Sequence, residues 1–124
     1  MQLFEGAALA LERGQAQEAD RLFRQAQAEA PRHPLVRNES ARLMLVAGNP
    51  AGAQQLLEQV VKDAPSNPSI WLNLAAALRG LNRVDDEMVA IDKVLALEPG
   101  NIRALLQKAS LQELQGLPRA AAAT

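Results

Sequence analysis

The chain has 124 residues, a formal net charge of −1, 48% hydrophobic residues and no cysteine. That length favours one domain. The lack of cysteine excludes a disulfide framework and thiolate chemistry, and the near-neutral charge is not the electrostatic footprint of a nucleic-acid binder. Aromatics are confined to Phe4, Phe23 and Trp71 while alanine is abundant, which favours closely packed helices over a sheet. No apolar run approaches the roughly 18 residues that span a bilayer. The opening "MQLFEGAALALER" lacks a basic start and carries Glu5 early, unlike a signal peptide. A soluble cytoplasmic protein without a membrane partner is the expectation.

In chain order, the apolar periodicity and the stop signals predict seven helices, at about 2–13, 16–30, 34–47, 50–64, 68–80, 84–97 and 102–115, with 118–124 opening an eighth. Gly14 stops the first. The second carries Ala19, Phe23 and Ala26 and is followed by Pro31, which cannot continue it. His33 lies in the next turn and reads as a solvated loop residue. Asn49-Pro50 and Asn67-Pro68 place an N-cap asparagine before a proline at the first helical position. Asp85, Asp86 and Glu87 read as a solvated acidic first turn at the positive end of a helix. Asn101 caps the helix that starts at Ile102.

These signals recur with one period. Pro31, Pro65 and Pro99 stand 34 residues apart, and Gly14, Gly48, Asn82 and Gly116 form a second column at the same spacing. Asparagine substitutes for glycine where a helix ends in a left-handed turn. Ala7, Ala41, Ala75 and Ala109 are identical, a column that lets helix backbones approach closely. Ala19, Ala53 and Ala121 agree, with Glu87 as the exception; Phe23, Leu57 and Ile91 are large and apolar; Ala26, Val60 and Val94 are apolar and smaller.

The chain therefore resembles the tetratricopeptide repeat, a 34-residue helix–turn–helix unit with the pattern W-x2-L-G-x2-Y, A-x3-F, P. Trp71, Leu74, Ala75, Leu78, Ile91 and Pro99 fill the pattern in the best repeat, and Ala19, Phe23 and Pro31 fill its second half in the first. Departures are Arg37 in the column of Trp71, Glu87 where alanine is usual, and Lys108 and Gln112 on the last helix. Arg37 is expected to pack its stem and carry its head to water. The resemblance implies an all-α, right-handed superhelical array of about three and a half repeats in one domain over 1–124, with units near 1–33, 34–67, 68–101 and a partial 102–124. Lys108 and Gln112 suit a polar cap on the last helix, but Pro118 and the alanines after it favour a fragment of a longer protein.

Catalytic chemistry is not predicted. His33 is the sole histidine and has no cysteine or second histidine to complete a metal site. Neither "RGQAQ" nor "EPGN" makes a phosphate-cradling loop. No cofactor is expected, and the chain reads as a non-enzyme. In tetratricopeptide arrays the first helix of each pair lines a concave face, so the resemblance implies a groove built from Asn38, Arg42, Leu45, Asn73, Ala76, Arg79, Arg103, Gln107 and Ser110. The binding set is Arg42, Asn73, Arg79 and Arg103 at nearly one height, with Asn38 and Gln107 as secondary contacts. Amides anchor a peptide backbone and arginine takes a carboxylate, so the expected partner is an extended acidic protein segment. In chaperone co-factors of the family a lysine–asparagine–arginine set grips a C-terminal carboxylate. Asn73 and Arg103 match that set in kind, whereas Asn38, Arg42 and Gln107 replace its other members.

Two further readings stand beside this interaction module. The segment from Asn73 to Thr124, through "ALLQKA" and "G-x-PRAAA", resembles the repeat region before the catalytic domain of bacterial aspartyl/asparaginyl β-hydroxylase-like proteins. That resemblance implies a substrate-positioning accessory region of an iron- and 2-oxoglutarate-dependent enzyme, whose iron site this chain cannot hold with one histidine. The other is a homo-oligomer formed through the incomplete C-terminal repeat, whose Leu105, Leu111 and Leu114 side is expected to lack a partner helix.

Overall fold

The computed structural model describes the backbone of residues 16–123 and the side chains of residues 17–116. The predicted helix over 2–13, with Ala7 and Gly14, lies outside the described residues. Within them the chain forms six α-helices and no strand: α1 Ala16–Glu29, α2 Pro34–Val46, α3 Pro50–Asp63, α4 Pro68–Gly80, α5 Val84–Leu97 and α6 Ile102–Ala123. α2 with α3, and α4 with α5, form successive hairpins, α1 is the second helix of the preceding unit and α6 the first of the next. This is the all-α repeat array that the 34-residue period predicts.

Local chemistry sets the helix ends. Asn49 accepts from the Gly52 amide at 3.0 Å, Asn67 from Ser69 at 3.0 Å, and Asn101 from Ala104 at 2.9 Å, each satisfying an otherwise orphan amide of a first turn. His33 does the same for α2: its Nδ1 accepts from the Leu35 amide at 3.1 Å. It is thus a half-buried cap and not a solvated loop residue. Gly48 and Asn82 both adopt left-handed backbone, with φ of 82° and 59°, as their shared column predicts.

The column does not hold at Gly116. α6 continues through Gly116 and Pro118 to Ala123, where a stop near 115 and a new helix are predicted. The alanine run favours helix.

The core follows the repeat columns. Leu57, Val60, Ile70, Leu74, Leu78, Ile91 and Val94 form one buried cluster over α3 to α5, extended by Ala41, Ala75, Ala104 and Leu111. Phe23, Ala26 and Val36 form a smaller cluster that seats α1 on α2. Full burial of side chains such as Leu57 and Ile70 contributes about 1.5–3 kcal/mol each. Arg37, in the column of Trp71, is half-buried, and its guanidinium donates at the exposed surface of α3 to Asp63 Oδ2 and Gln59 Oε1, both at 3.0 Å. Trp71 instead donates from Nε1 to the Pro65 carbonyl at 2.8 Å.

α6 departs from the expected strip of leucines. Leu111 is buried in the core, while Leu105 and Leu114 are exposed together with Ile102 and Leu106. Ala109 is also exposed, unlike Ala41 and Ala75 in its column. The side of α4 that carries Ala75 and Leu78 is covered by α5; the same side of α6 has no covering helix among the described residues.

Candidate functional site

α2, α4 and α6 are the first helices of successive units; polar side chains join α2 to α4 directly, and α4 to α6 through Glu87 of α5. Asn38 on α2 is buried. Its Nδ2 donates to Ser69 Oγ at 3.1 Å, and its Oδ1 accepts from Asn73 Nδ2 at 2.8 Å. α2 and α4 are therefore joined by two neutral hydrogen bonds that use both polar atoms of Asn38.

The next junction is charged. Glu87 on α5 has a side chain only 1% exposed, and its Oε2 accepts from Arg79 Nε on α4 and from Gln107 Nε2 on α6, each at 3.0 Å. The predicted solvated acidic turn is thus only half right. Asp85 and Asp86 are exposed, but Glu87 is not, because its carboxylate reaches the first-helix face and finds two donors there. A buried carboxylate without such partners would be strongly unfavourable. α5 and α6 meet again at Lys108–Asp92, 2.9 Å apart, and at Gln115, which donates to Asp85 at 3.2 Å. Lys108 therefore makes an ion pair in the column where Leu74 is buried.

The arginines differ in how much charge they offer. Arg42 donates from Nε to both Glu39 oxygens, at 2.9 and 3.0 Å, and its terminal nitrogen also pairs with that carboxylate. These hydrogen bonds raise its pKa above the usual arginine range, against the opposing effect of burial. Arg79 is 53% exposed and engages Glu87 through Nε. Arg103 is exposed and makes no ion pair or side-chain hydrogen bond among the described residues.

The six predicted contacts lie on one face, but not at one height. Asn38, Asn73 and Gln107 occupy the middle turns of α2, α4 and α6, whereas Arg103 is in the first turn of α6 and Arg79 in the last turn of α4. At ~1.5 Å rise per residue those two arginines sit roughly 15 Å apart along the helix direction. Of the remaining groove candidates, Leu45 packs on the core, Ala76 is half-buried and Ser110 is exposed. Glu87 and Ser69 complete the site and were not among the predicted contacts. The break in the alanine column at position 87 was the available signal for the first.

Among the described residues no group of three or more His, Cys, Asp and Glu side chains is placed to hold a metal ion, and no helix is long and apolar enough to cross a membrane.

Comparison with known proteins agrees with this architecture. The first tetratricopeptide domain of the human RPAP3 protein has a TM-score of 0.75 at 19% identity, covering 95% of this chain and 93% of that one. The first tetratricopeptide domain of Spaghetti (RPAP3), solved bound to the HSP90 peptide SRMEEVD, has a TM-score of 0.74 at 19% identity, covering 92% and 90%. A Thermobaculum terrenum O-GlcNAc transferase (K341M mutant) has a TM-score of 0.77 at 22% identity over 90% of this chain but 21% of that one. No curated protein matches the sequence, and nothing in these likenesses supports the resemblance to aspartyl/asparaginyl β-hydroxylase-like proteins. A sequence model described as "Tetratricopeptide repeat" matches residues 10–78, more than half of the chain. With the 34-residue columns and the stacked hairpins, that match places the chain in the tetratricopeptide repeat family.

Proposed function

We propose that the chain is a non-catalytic interaction module that takes an extended, acidic protein segment along the concave face of α2, α4 and α6, in the cytoplasm. One observation carries this reading. After the internal bonds are formed, Asn73 Oδ1, Gln107 Oε1 and the Arg103 guanidinium are left on one face with no partner among the described residues, where no unpartnered side-chain nitrogen or oxygen is buried. Polar groups so presented can take a peptide main chain and a carboxylate. The likeness to a repeat domain solved with the acidic peptide SRMEEVD supports the same use of the fold. Asn38 takes no direct part, since both its polar atoms are engaged; it holds Asn73.

The test is selection of a displayed random-peptide library on the wild-type chain, followed by capture with the Asn73→Ala/Arg103→Glu variant. The expected result is a set of acidic peptides whose capture is lost in the variant while helicity by circular dichroism is retained. Undiminished capture would move the site to the other face or to the ends of the array.

A further inference from the structure

The geometry points to Glu87 as the residue that decides where along the groove a carboxylate is accepted: it bars the α4–α6 side at Arg79 and leaves Arg103 as the anion contact. This rests on the reading of the concave face as the binding surface. At positions 19 and 53 the same column carries buried alanine, whose methyl group only fills the contact between helices. At 87 a carboxylate threads out of that contact to the first-helix face, so the position has gained a charge directly beneath the groove.

Two consequences follow from elementary chemistry. A carboxylate paired with arginine is ionised and only accepts hydrogen bonds. Gln107 must therefore turn its NH2 to Glu87, which presents its Oε1 to the groove as an acceptor for ligand N–H groups. Arg79 in turn meets an incoming carboxylate with a negative charge already 3.0 Å behind its Nε. Attraction by the guanidinium and repulsion by Glu87 then largely cancel at the distance of a ligand. Arg42 is compensated in the same way by Glu39. Arg103 has no such acid among the described residues, so the groove selects a segment with its acidic group over the first turn of α6 and uncharged main chain across Gln107 and Arg79.

The experiment titrates end-blocked hexaglutamate and hexaglutamine into the wild-type chain, Glu87→Gln, and Arg79→Gln/Glu87→Gln. Glu87→Gln keeps the volume and an acceptor oxygen and removes only the charge. It should bind hexaglutamate on the order of five- to tenfold more tightly at low ionic strength, with a gain that shrinks as salt is added. Hexaglutamine should be unaffected, and the gain should vanish in the double variant because it acts through Arg79. Should Glu87→Gln fail to fold, Glu87→Ala restores the residue found at positions 19 and 53 and should give the same gain. Equal hexaglutamate affinity in wild type and variant, including equal absence of binding, would overturn the role of Glu87, as would a gain that survives loss of Arg79. The two readings fail separately: selected peptides that ignore Asn73→Ala/Arg103→Glu sink the groove, whereas equal hexaglutamate affinity sinks only the assignment to Glu87.

Discussion

The α2–α4 and α4–α6 junctions occupy equivalent places in successive repeats, yet different chemistry ties them. The first is neutral, built from Asn38, Ser69 and Asn73; the second is charged, built from Arg79, Glu87 and Gln107. Beneath both the packing keeps the repeat: Ala41 and Ala75 are buried in one column, and Leu57 and Ile91 in another. Apolar columns therefore build the array, while polar residues on the exposed side vary from junction to junction and give each stretch of groove its own character. Asn73, Arg79 and Gln107 serve both ends, since each bonds inside the array on the face proposed to meet a ligand.

The largest expected effect tests the packing that the two junctions share. Ala75→Leu should destabilise the fold by about 1–3 kcal/mol, because a larger side chain has no room between α4 and its neighbours. Ala109→Leu, in the same column but exposed on α6, should stay within about 0.5 kcal/mol. Chemical denaturation of both variants measures this. Equal costs would mean that the column, and not the covering helix, sets burial.

A smaller effect separates the two junctions. Arg79→Ala strips the charged partner from a buried carboxylate and leaves it with Gln107 alone. Because Arg79 is itself about half exposed, the expected cost is about 1–2 kcal/mol and not the larger loss of a fully buried pair. Asn38→Ala removes two neutral hydrogen bonds whose partners, the exposed Ser69 and the half-buried Asn73, can turn to water; about 1 kcal/mol or less is expected. Thermal unfolding of the two variants should rank them in that order. The reverse order would make the neutral junction the stronger tie.

Much of the architecture was legible in the sequence because it rests on local signals. The caps at Asn49, Asn67 and Asn101, the left-handed turns at Gly48 and Asn82, and the burial of Ala41, Ala75, Phe23, Leu57 and Ile91 all follow from residue type at a fixed period. The site was less legible because it depends on what meets across helices. An acidic run at a helix start reads as solvated, and only Arg79 and Gln107, from two other helices, make Glu87 a buried acceptor. Asn38 reads as a free amide until Ser69 and Asn73 are placed beside it. Nor does a column carry over to α6, where Ala109 keeps its residue type but has no covering helix and Gly116 lies within a continuous helix.

The proposed function has ligand contacts and junction contacts share one face. Its most direct test is a nitrogen-15 NMR titration of the chain with the strongest peptide from the library selection, following backbone and side-chain signals. Shifts are expected to concentrate on the exposed sides of α2, α4 and α6, with the Asn73 and Gln107 side-chain amides and the Arg103 region moving most and the second helices α1 and α3 little. Shifts concentrated on α1 and α3, or on the Leu105–Ala109 side of α6, would contradict it.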